Sequence, residues 1–167
     1  MIPIILLSRE EYDCAVWIGR IRQEEDDLRG LKTKFEMNDS NKFEKNELGA
    51  LCEMAFWKFL FPLKTWDPAP MKCSDVGDFQ VRGTAPSKKV SAKECKLVIR
   101  QADWSSDRIA MVIQFSKFAY IVRGWITASD GRKVGVKRNP NGFHPAHFVN
   151  QSNLNLFRQV DVYTGTS

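Results

Sequence analysis

The sequence predicts an α/β domain in which helices come first and a central mixed sheet, rich in antiparallel strands, follows. Two observations lead to this prediction. Apolar residues recur at helical spacing up to about residue 61, and after residue 78 they alternate or run continuously, as in strands. The chain has 167 residues, 43% of them hydrophobic, which is enough for one domain with its own core. We therefore expect a single domain over residues 1–167, helical over about 1–62 and containing the sheet over about 63–167.

The first helix is predicted from residue 8 to about 34. Ser8 followed by Glu11 is a capping-box pattern, and apolar residues recur after it at helical spacing. The helix contains the charged stretch RQEEDDLR, residues 22–29. This stretch is expected to be a solvated face without a functional role.

A second helix is predicted after a loop over residues 38–46, and it should end near Phe61 because Pro62 prevents continuation. Glu53 lies one turn after Gly49, so the two share a helix face. The glycine could let the helix approach another element closely, with Glu53 pointing into the gap. The alternative is that Glu53 is an exposed surface residue. The predicted apolar stripe of this helix consists of Leu48, Leu51, Ala55 and Phe59.

Four strands are predicted after residue 78. Residues 79–82 and 90–99, separated by the turn-like GTAPSKK, should form a hairpin because apolar and polar residues alternate in both. Residues 108–115 and 118–127 should form two further strands joined by a tight turn. The segment that follows is expected to be mostly loop.

Charged side chains of the predicted hairpin offer the groups that metal-dependent hydrolysis of a phosphodiester requires. The reaction needs a hard cation, and carboxylates on neighbouring strands are natural ligands for it. Glu94 and Lys96 are two residues apart, so on a strand their side chains would share a face. Asp75 or Asp78, at the start of the paired strand, could complete a metal site, and Lys96 could orient the attacking water.

Several phrases of the chain resemble the restriction-endonuclease-like nucleases, the PD-(D/E)XK superfamily. NELGALCEMAF with Glu53 is similar to the acidic helix of that family, and KECK with Glu94 and Lys96 is similar to its acid-x-lysine strand. The resemblance is to a branch common in phage and bacterial genomes, and it covers roughly residues 46–158. It implies one nuclease-like domain with a restriction-endonuclease-like central mixed sheet flanked by helices. The similar phrases are residues 49–53, 75–82, 97–103, 124–126 and 148–154.

The resemblance also implies a function, a Mg²⁺- or Mn²⁺-dependent endonuclease that cleaves DNA. Its catalytic residues would be Glu53, Asp75, Glu94 and Lys96. Asp75 and Glu94 would bind the metal, Glu53 would bind a second metal or orient a metal-bound water, and Lys96 would position the nucleophile.

One departure from the family pattern leaves a second site assignment open. After the DVG phrase the family branch usually has Glu-x-Arg or Glu-x-Lys, whereas this chain has Gln80 and Arg82. A glutamine offers an amide oxygen but no charge. The alternative site therefore consists of Asp75, Gln80 and Arg82. Gln80 also favours a further alternative, a nucleic-acid-binding or protein-interaction module that keeps the nuclease fold without catalysis.

The charge balance suits a polyanionic partner. There are 25 Lys and Arg against 20 Asp and Glu, giving a formal net charge of +5. DNA is the expected partner, and cleavage of both strands of a duplex would be consistent with a homodimer. Six basic residues in predicted turns and loops are candidates for phosphate contacts: Lys88, Lys89, Arg132, Lys133, Lys137 and Arg138.

The cysteines and the N-terminus indicate the compartment. The four cysteines are far apart and form no CxxC pair, so neither a zinc ribbon nor a disulfide framework is expected. The opening MIPIILLS is too short to span a bilayer and lacks a basic leader. We therefore expect no membrane association and a cytoplasmic protein, in a bacterium or a phage-infected host cell.

Overall fold

The computed structural model describes residues 2–29, 39–66, 75–139, 142 and 144–158. It shows the predicted mixed α/β class. Two long helices pack on one face of a mixed five-stranded sheet, and a small antiparallel sheet and a short helix pack on the other. In the part of the chain that is described, no helix is long and apolar enough to cross a membrane.

The elements are listed here in chain order. The helices are α1 (Arg9–Leu28), α2 (Asp39–Leu60) and α3 (Ala128–Val134). The strands are β1 (Ile4–Leu6), β2 (Asp75–Val76), β3 (Phe79–Thr84), β4 (Leu97–Arg100), β5 (Arg108–Gln114), β6 (Ala119–Thr127), β7 (Val136–Arg138) and β8 (Ala146–Val149). A 3-10 helix, Gln151–Asn153, follows β8.

The main sheet has the strand order β1-β6-β5-β3-β2. The β3–β5 pair is parallel and the other neighbours are antiparallel. The second sheet has the order β4-β8-β7 and is antiparallel throughout. The main sheet is therefore mixed, as predicted, and β2 forms one of its edges.

Alternate residues of the central strand β5 face two hydrophobic cores. Ala110 and Val112 pack with α1 and α2, whereas Ile109, Met111 and Ile113 pack with β4, β8 and the start of α3. Burial on both faces explains why the strand reads as a nearly continuous apolar run. The two cores fix β5 and its parallel neighbour β3 between the layers.

Helix α1 begins where the capping box predicts. Ser8 Oγ accepts a hydrogen bond from Glu11 N at 3.1 Å, and Glu11 Oε2 accepts one from Ser8 N at 2.7 Å. The helix ends at Leu28, and the predicted continuation to residue 34 falls mostly outside the described residues. The prediction that RQEEDDLR is a solvated face is wrong for Arg22 and Gln23, whose side chains are turned towards α2.

Helix α2 begins at Asp39, so the predicted loop over residues 38–46 is wrong over most of its length. Asn, Asp and Ser make up most of this stretch and are weak helix formers, but contacts with another helix can override that preference. Two such contacts tie this part of α2 to α1. Arg20 Nε binds Glu47 Oε1 at 2.9 Å, and the Asn46 side chain donates a hydrogen bond to Gln23. The predicted end near Pro62 is confirmed.

The close approach of α2 to its neighbours does not occur at Gly49. A Cβ added at Gly49 would meet nothing within 4 Å. A Cβ at Gly19 of α1 would lie 2.6 Å from Glu47 Cα, and one at Gly83 of β3 would lie 2.8 Å from Cys52 Sγ. The glycines that let α2 pack closely are therefore on the elements that contact it.

The predicted hairpin between residues 79–82 and 90–99 is wrong. β3 lies between β2 and β5, whereas β4 belongs to the second sheet. Residues 92–94 form a turn in which Glu94 Oε2 accepts hydrogen bonds from Ser91 N at 2.9 Å and Ser91 Oγ at 2.7 Å. Val90, Glu94 and Lys96 are all exposed, so their period-two spacing reflects no buried strand face.

The segment predicted to be mostly loop contains α3, β7 and β8. Thr127 caps α3, because its Oγ1 accepts a hydrogen bond from Asp130 N at 3.1 Å. All residues of β7 are exposed, so no apolar pattern marks it, and it forms a strand by pairing with β8. The tight β5–β6 connection around Ser116 and Lys117 is confirmed.

Candidate functional site

The short antiparallel pair β2–β3 positions three of the predicted site residues. Asp75 is the cross-strand partner of Gln80, and directly opposite residues share a sheet face. Arg82 is two residues beyond Gln80 on β3, so its side chain lies on that face too. The connecting turn contains Gly77 with a φ of +60°, a conformation that favours glycine. The face that carries these polar side chains is opposite to the one on which Val76 and Phe79 pack against the helices.

Gln80 is held in a chain of hydrogen bonds. Its Nε2 donates to Asp107 Oδ2 at 2.8 Å, and its Oε1 accepts from Arg82 Nη2 at 3.0 Å. The amide orientation follows from these neighbours, because a carboxylate accepts and a guanidinium donates. Gln80 therefore links the acid at the start of β5 to the arginine inside the domain.

Arg82 continues this chain to Asp103. Its Nη2 lies 2.6 Å from Asp103 Oδ1, and the side chains are only 11% and 7% exposed. Burial lowers the pKa of Arg82, the charge of Arg100 lowers it further, and Asp103 opposes both effects. Asp103 Oδ2 also accepts a hydrogen bond from Arg100 N at 2.7 Å. Both carboxylate oxygens of Asp103 are thus in contact, one with Arg82 and one with the backbone at the end of β4.

An open cavity of about 430 Å³ lies beside β2 and the start of β5. Its lining combines acidic, amide, hydroxyl and basic residues. The basic residue is Arg108, whose guanidinium lies over the rings of Phe79 and Trp125 at 5.9 and 5.3 Å from their centroids. The polar residues that line the cavity are Asp75, Asp78, Gln80, Ser106, Asp107 and Arg108.

Glu53 is buried rather than exposed, and Arg22 of α1 binds it. Arg22 Nη1 is 2.9 Å from Glu53 Oε1, and Arg22 Nη2 is 2.8 Å from Oε2. Burial raises the pKa of Glu53, Arg22 opposes that shift, and the nearby charge of Asp75 adds to it. The acidic helix residue therefore lies within electrostatic reach of Asp75 but already has a cationic partner.

The structure brings some of the predicted site residues together and leaves others apart. Asp75, Asp78 and Gln80 line one cavity, and Arg82 contacts Gln80. Glu94 and Lys96 lie in and just after the exposed turn that precedes β4 and are not part of the cavity wall. Gln151 fixes this turn by donating hydrogen bonds to the carbonyls of Ala92 and Cys95. The strand pairing that would have placed Glu94 beside Gln80 does not exist.

The basic residues also differ in their surroundings. The Nη2 of Arg132 donates hydrogen bonds to the carbonyl oxygens of Arg100 and Asp103, so this side chain braces the connection between β4 and β5. Lys133 is exposed and lies 3.4 Å from Asp130. The other four candidates are exposed: Lys88, Lys89, Lys137 and Arg138.

A metal ion would find few protein ligands at this cavity. Among the described residues, no three His, Cys, Asp or Glu side chains are grouped so as to hold one. Mg²⁺ commonly keeps several waters and is bound through one or two carboxylates plus a substrate phosphate. Asp75 and Asp107 on the cavity wall fit this second mode. In Asp107, both side-chain hydrogen bonds, from Gln80 and from Trp104 N, go to Oδ2.

Sequence patterns do not predict three residues that hold the predicted site residues in place: Arg22, Asp103 and Asp107. Asp103 falls in the family-like phrase 97–103, but its pairing with Arg82 has no local signal. Arg22 was assigned to a solvated face, and Asp107 follows a turn without any motif. All three contact partners that are distant along the chain.

Comparisons with known proteins gave no match: no family model, no curated protein and no solved structure matches this chain. We therefore infer function from the residues around the cavity.

Proposed function

We propose that the protein is a Mg²⁺-dependent DNA endonuclease with a restriction-endonuclease-like core, and that its site is the cavity beside β2 and β3. The observation that carries the proposal is the cross-strand pair of Asp75 and Gln80, with Arg82 on the same face. This arrangement follows the order of acid, then Gln-x-Arg, along two adjacent strands. It supports the alternative site assignment rather than the one based on Glu94 and Lys96.

Asp75 and Asp107 would hold the metal ion in this site. The bound ion would polarise a phosphoryl oxygen and lower the pKa of a water molecule. The Nε2 of Gln80 fixes the carboxylate of Asp107, and Arg82 fixes the amide of Gln80. Arg82 thus acts as a positioning residue, since its side chain is almost completely buried.

Arg108 is the group best placed to meet the substrate phosphate. Arg108 is one of the residues that line the cavity, and the rings of Phe79 and Trp125 restrict the position of its guanidinium. A guanidinium held at a developing negative charge stabilises the transition state of phosphoryl transfer.

DNA is the proposed partner, and a homodimer would supply two sites for a duplex. The net charge of +5 and the exposed basic residues on the loop after β3 and on β7 favour binding to a phosphate polymer. Arg132 is not one of these contacts, because its guanidinium binds backbone carbonyls.

A second candidate is a nucleic-acid-binding module without catalysis. Two observations favour it: Gln80 adds no charge to the site, and Glu53 is bound by Arg22. In this case the cavity would bind phosphate through Arg108, and no metal would be required.

Nicking of supercoiled plasmid separates the two candidates. In Mg²⁺ the parent protein should nick the plasmid, and Asp75→Asn should lower the rate by on the order of a hundredfold. Asp130→Asn is the matched control, because Asp130 is an exposed acid on α3, and it should cleave like the parent. Salt-sensitive DNA binding without nicking would support the second candidate. A protein that neither binds nor nicks DNA would contradict both candidates.

A further inference from the structure

Trp104 is the most exposed tryptophan among the described residues, with 77% of its surface accessible. Trp side chains are usually largely buried, because burial of the indole is favourable. The residue lies in the connection between β4 and β5, three positions before Asp107. This exposed indole therefore belongs to the same connection as Asp107, a residue of the proposed site.

The backbone of Trp104 is held rigidly although its side chain is not covered. Its N–H donates to Asp107 Oδ2 at 2.9 Å, and its carbonyl accepts from Asp107 N at 2.9 Å. The start of α3 anchors the same turn: Ser129 N donates to Ser105 O at 3.1 Å, and Ala128 N donates to Asp107 O at 2.8 Å. The indole therefore projects from a fixed turn.

The same turn contributes to the cavity wall. Ser106, Asp107 and Arg108 line the cavity, and Arg108 is the first residue of β5. The indole of Trp104 thus lies two to four residues along the chain from a serine, an aspartate and an arginine that line the cavity. These are the groups that a nucleotide would need, a face for its base and polar contacts for its phosphate or for a metal ion beside it.

We infer that Trp104 is a stacking platform for an unpaired base of single-stranded DNA whose phosphate lies in the cavity. The inference rests on the proposed function and narrows its substrate class. In a duplex both faces of each base are covered by neighbouring bases, whereas an unpaired base can stack on an indole. Single-stranded DNA, or an unpaired stretch in a branched molecule, is therefore the preferred substrate.

Binding measurements with calcium in place of magnesium test this inference without cleavage. Fluorescence anisotropy of a labelled short oligothymidylate and of a labelled duplex of equal length gives the two affinities. Trp104→Ala should weaken binding of the single strand by about fivefold to a hundredfold, the range for loss of one stacked base. The affinity for the duplex should change much less, and Trp104→Phe should retain most of the single-strand affinity.

Trp17→Ala is the matched control. Trp17 is 61% exposed on α1, and its replacement should leave both affinities unchanged. Thermal melts should show that none of these exposed substitutions unfolds the protein. An unchanged single-strand affinity in Trp104→Ala, or an equal loss for both ligands, would overturn the inference.

These measurements distinguish a failure of the stacking role from a failure of the proposed nuclease function. If the parent nicks plasmid but Trp104→Ala binds single strands normally, the stacking role fails and the nuclease stands. If Trp104 is required for single-strand binding but no cleavage occurs, the stacking role stands and the nuclease fails.

Discussion

Arg22 and Glu53 form a two-point ion pair across α1 and α2, with Nη1 2.9 Å from Oε1 and Nη2 2.8 Å from Oε2. Their side chains are 11% and 7% exposed. Because water is nearly excluded, removal of one partner leaves a buried charge without compensation. The pair therefore ties α1 to α2 through Glu53, whose pKa is raised by burial and also by the nearby charge of Asp75.

Arg22→Met should lower the free energy of unfolding by about 3–5 kcal/mol at mildly alkaline pH. Burial already raises the pKa of Glu53 above its ordinary value of 4.5. A carboxyl with a raised folded pKa contributes stability that is complete below its unfolded pKa and is lost as pH rises through the folded pKa. The loss in the variant should therefore be smaller near pH 4.5 than at alkaline pH, as measured by urea unfolding at both.

Two controls accompany this measurement. Arg22→Met combined with Glu53→Met removes both charges and should recover most of the lost stability. Arg20→Met, which breaks the solvent-exposed pair with Glu47, should cost much less than Arg22→Met. An equal loss at both pH values in Arg22→Met would contradict the account of Glu53.

Gly19→Ala and Gly49→Ala should change stability in opposite directions. The new methyl group at Gly19 would lie 2.6 Å from the backbone of Glu47 and push α1 away from α2, at a cost of about 1–3 kcal/mol. At Gly49 the methyl group would enter open space, and alanine should stabilise α2 by up to about 1 kcal/mol. Urea unfolding of both variants provides the measurement. Equal effects would mean that the helix contact is wrongly assigned.

Glu94→Gln and Lys96→Ala should leave Mg²⁺-dependent nicking within about twofold of the parent, because neither side chain belongs to the cavity wall. Hydrogen bonds from Ser91 lower the pKa of Glu94, so its carboxylate stabilises the turn. Plasmid nicking under identical conditions provides the measurement. A hundredfold loss of activity, with an unchanged melting temperature, would restore these residues to the site.

Gln80→Glu should lower the Mg²⁺ concentration for half-maximal nicking, by about tenfold, because a carboxylate is a stronger ligand than an amide oxygen. The new carboxylate would keep its contact with Arg82 but stand beside Asp107, and a cation would relieve their repulsion. Gln80→Leu removes both hydrogen bonds and should instead raise the Mg²⁺ concentration for half-maximal nicking or abolish activity. A Gln80→Glu protein with lower activity at every Mg²⁺ concentration would contradict the assignment.

The sequence was sufficient for elements that bury a regular apolar pattern. β5 and β6 have their predicted bounds within one residue, and the capping box of Ser8 marks the start of α1. The alternation over residues 90–96 wrongly predicted a strand, because the residues there are small or exposed. Ser91 and Glu94 hydrogen-bond to each other and form a turn. Alternation predicts a strand only where one of its faces has a core to cover.

The candidate site was predictable only in part, because some of its contacts join residues that are far apart along the chain. Asp75, Gln80 and Arg82 are close along the chain, so a motif could identify them. Their partners are not: Arg22 is 31 residues from Glu53, and Asp103 is 21 residues from Arg82. Pairing at that distance depends on the packing of helices and sheets, which a single sequence does not specify locally.

The location of a bound ion would test whether Asp75 and Asp107 are the metal ligands. Crystals of the protein soaked in Mn²⁺ would reveal the ion by its anomalous scattering. We expect a peak in the cavity beside Asp75 and Asp107, and loss of that peak in Asp75→Asn. A peak at Glu94, or no peak at the cavity in crystals of a protein that cleaves DNA, would contradict this assignment of the metal ligands.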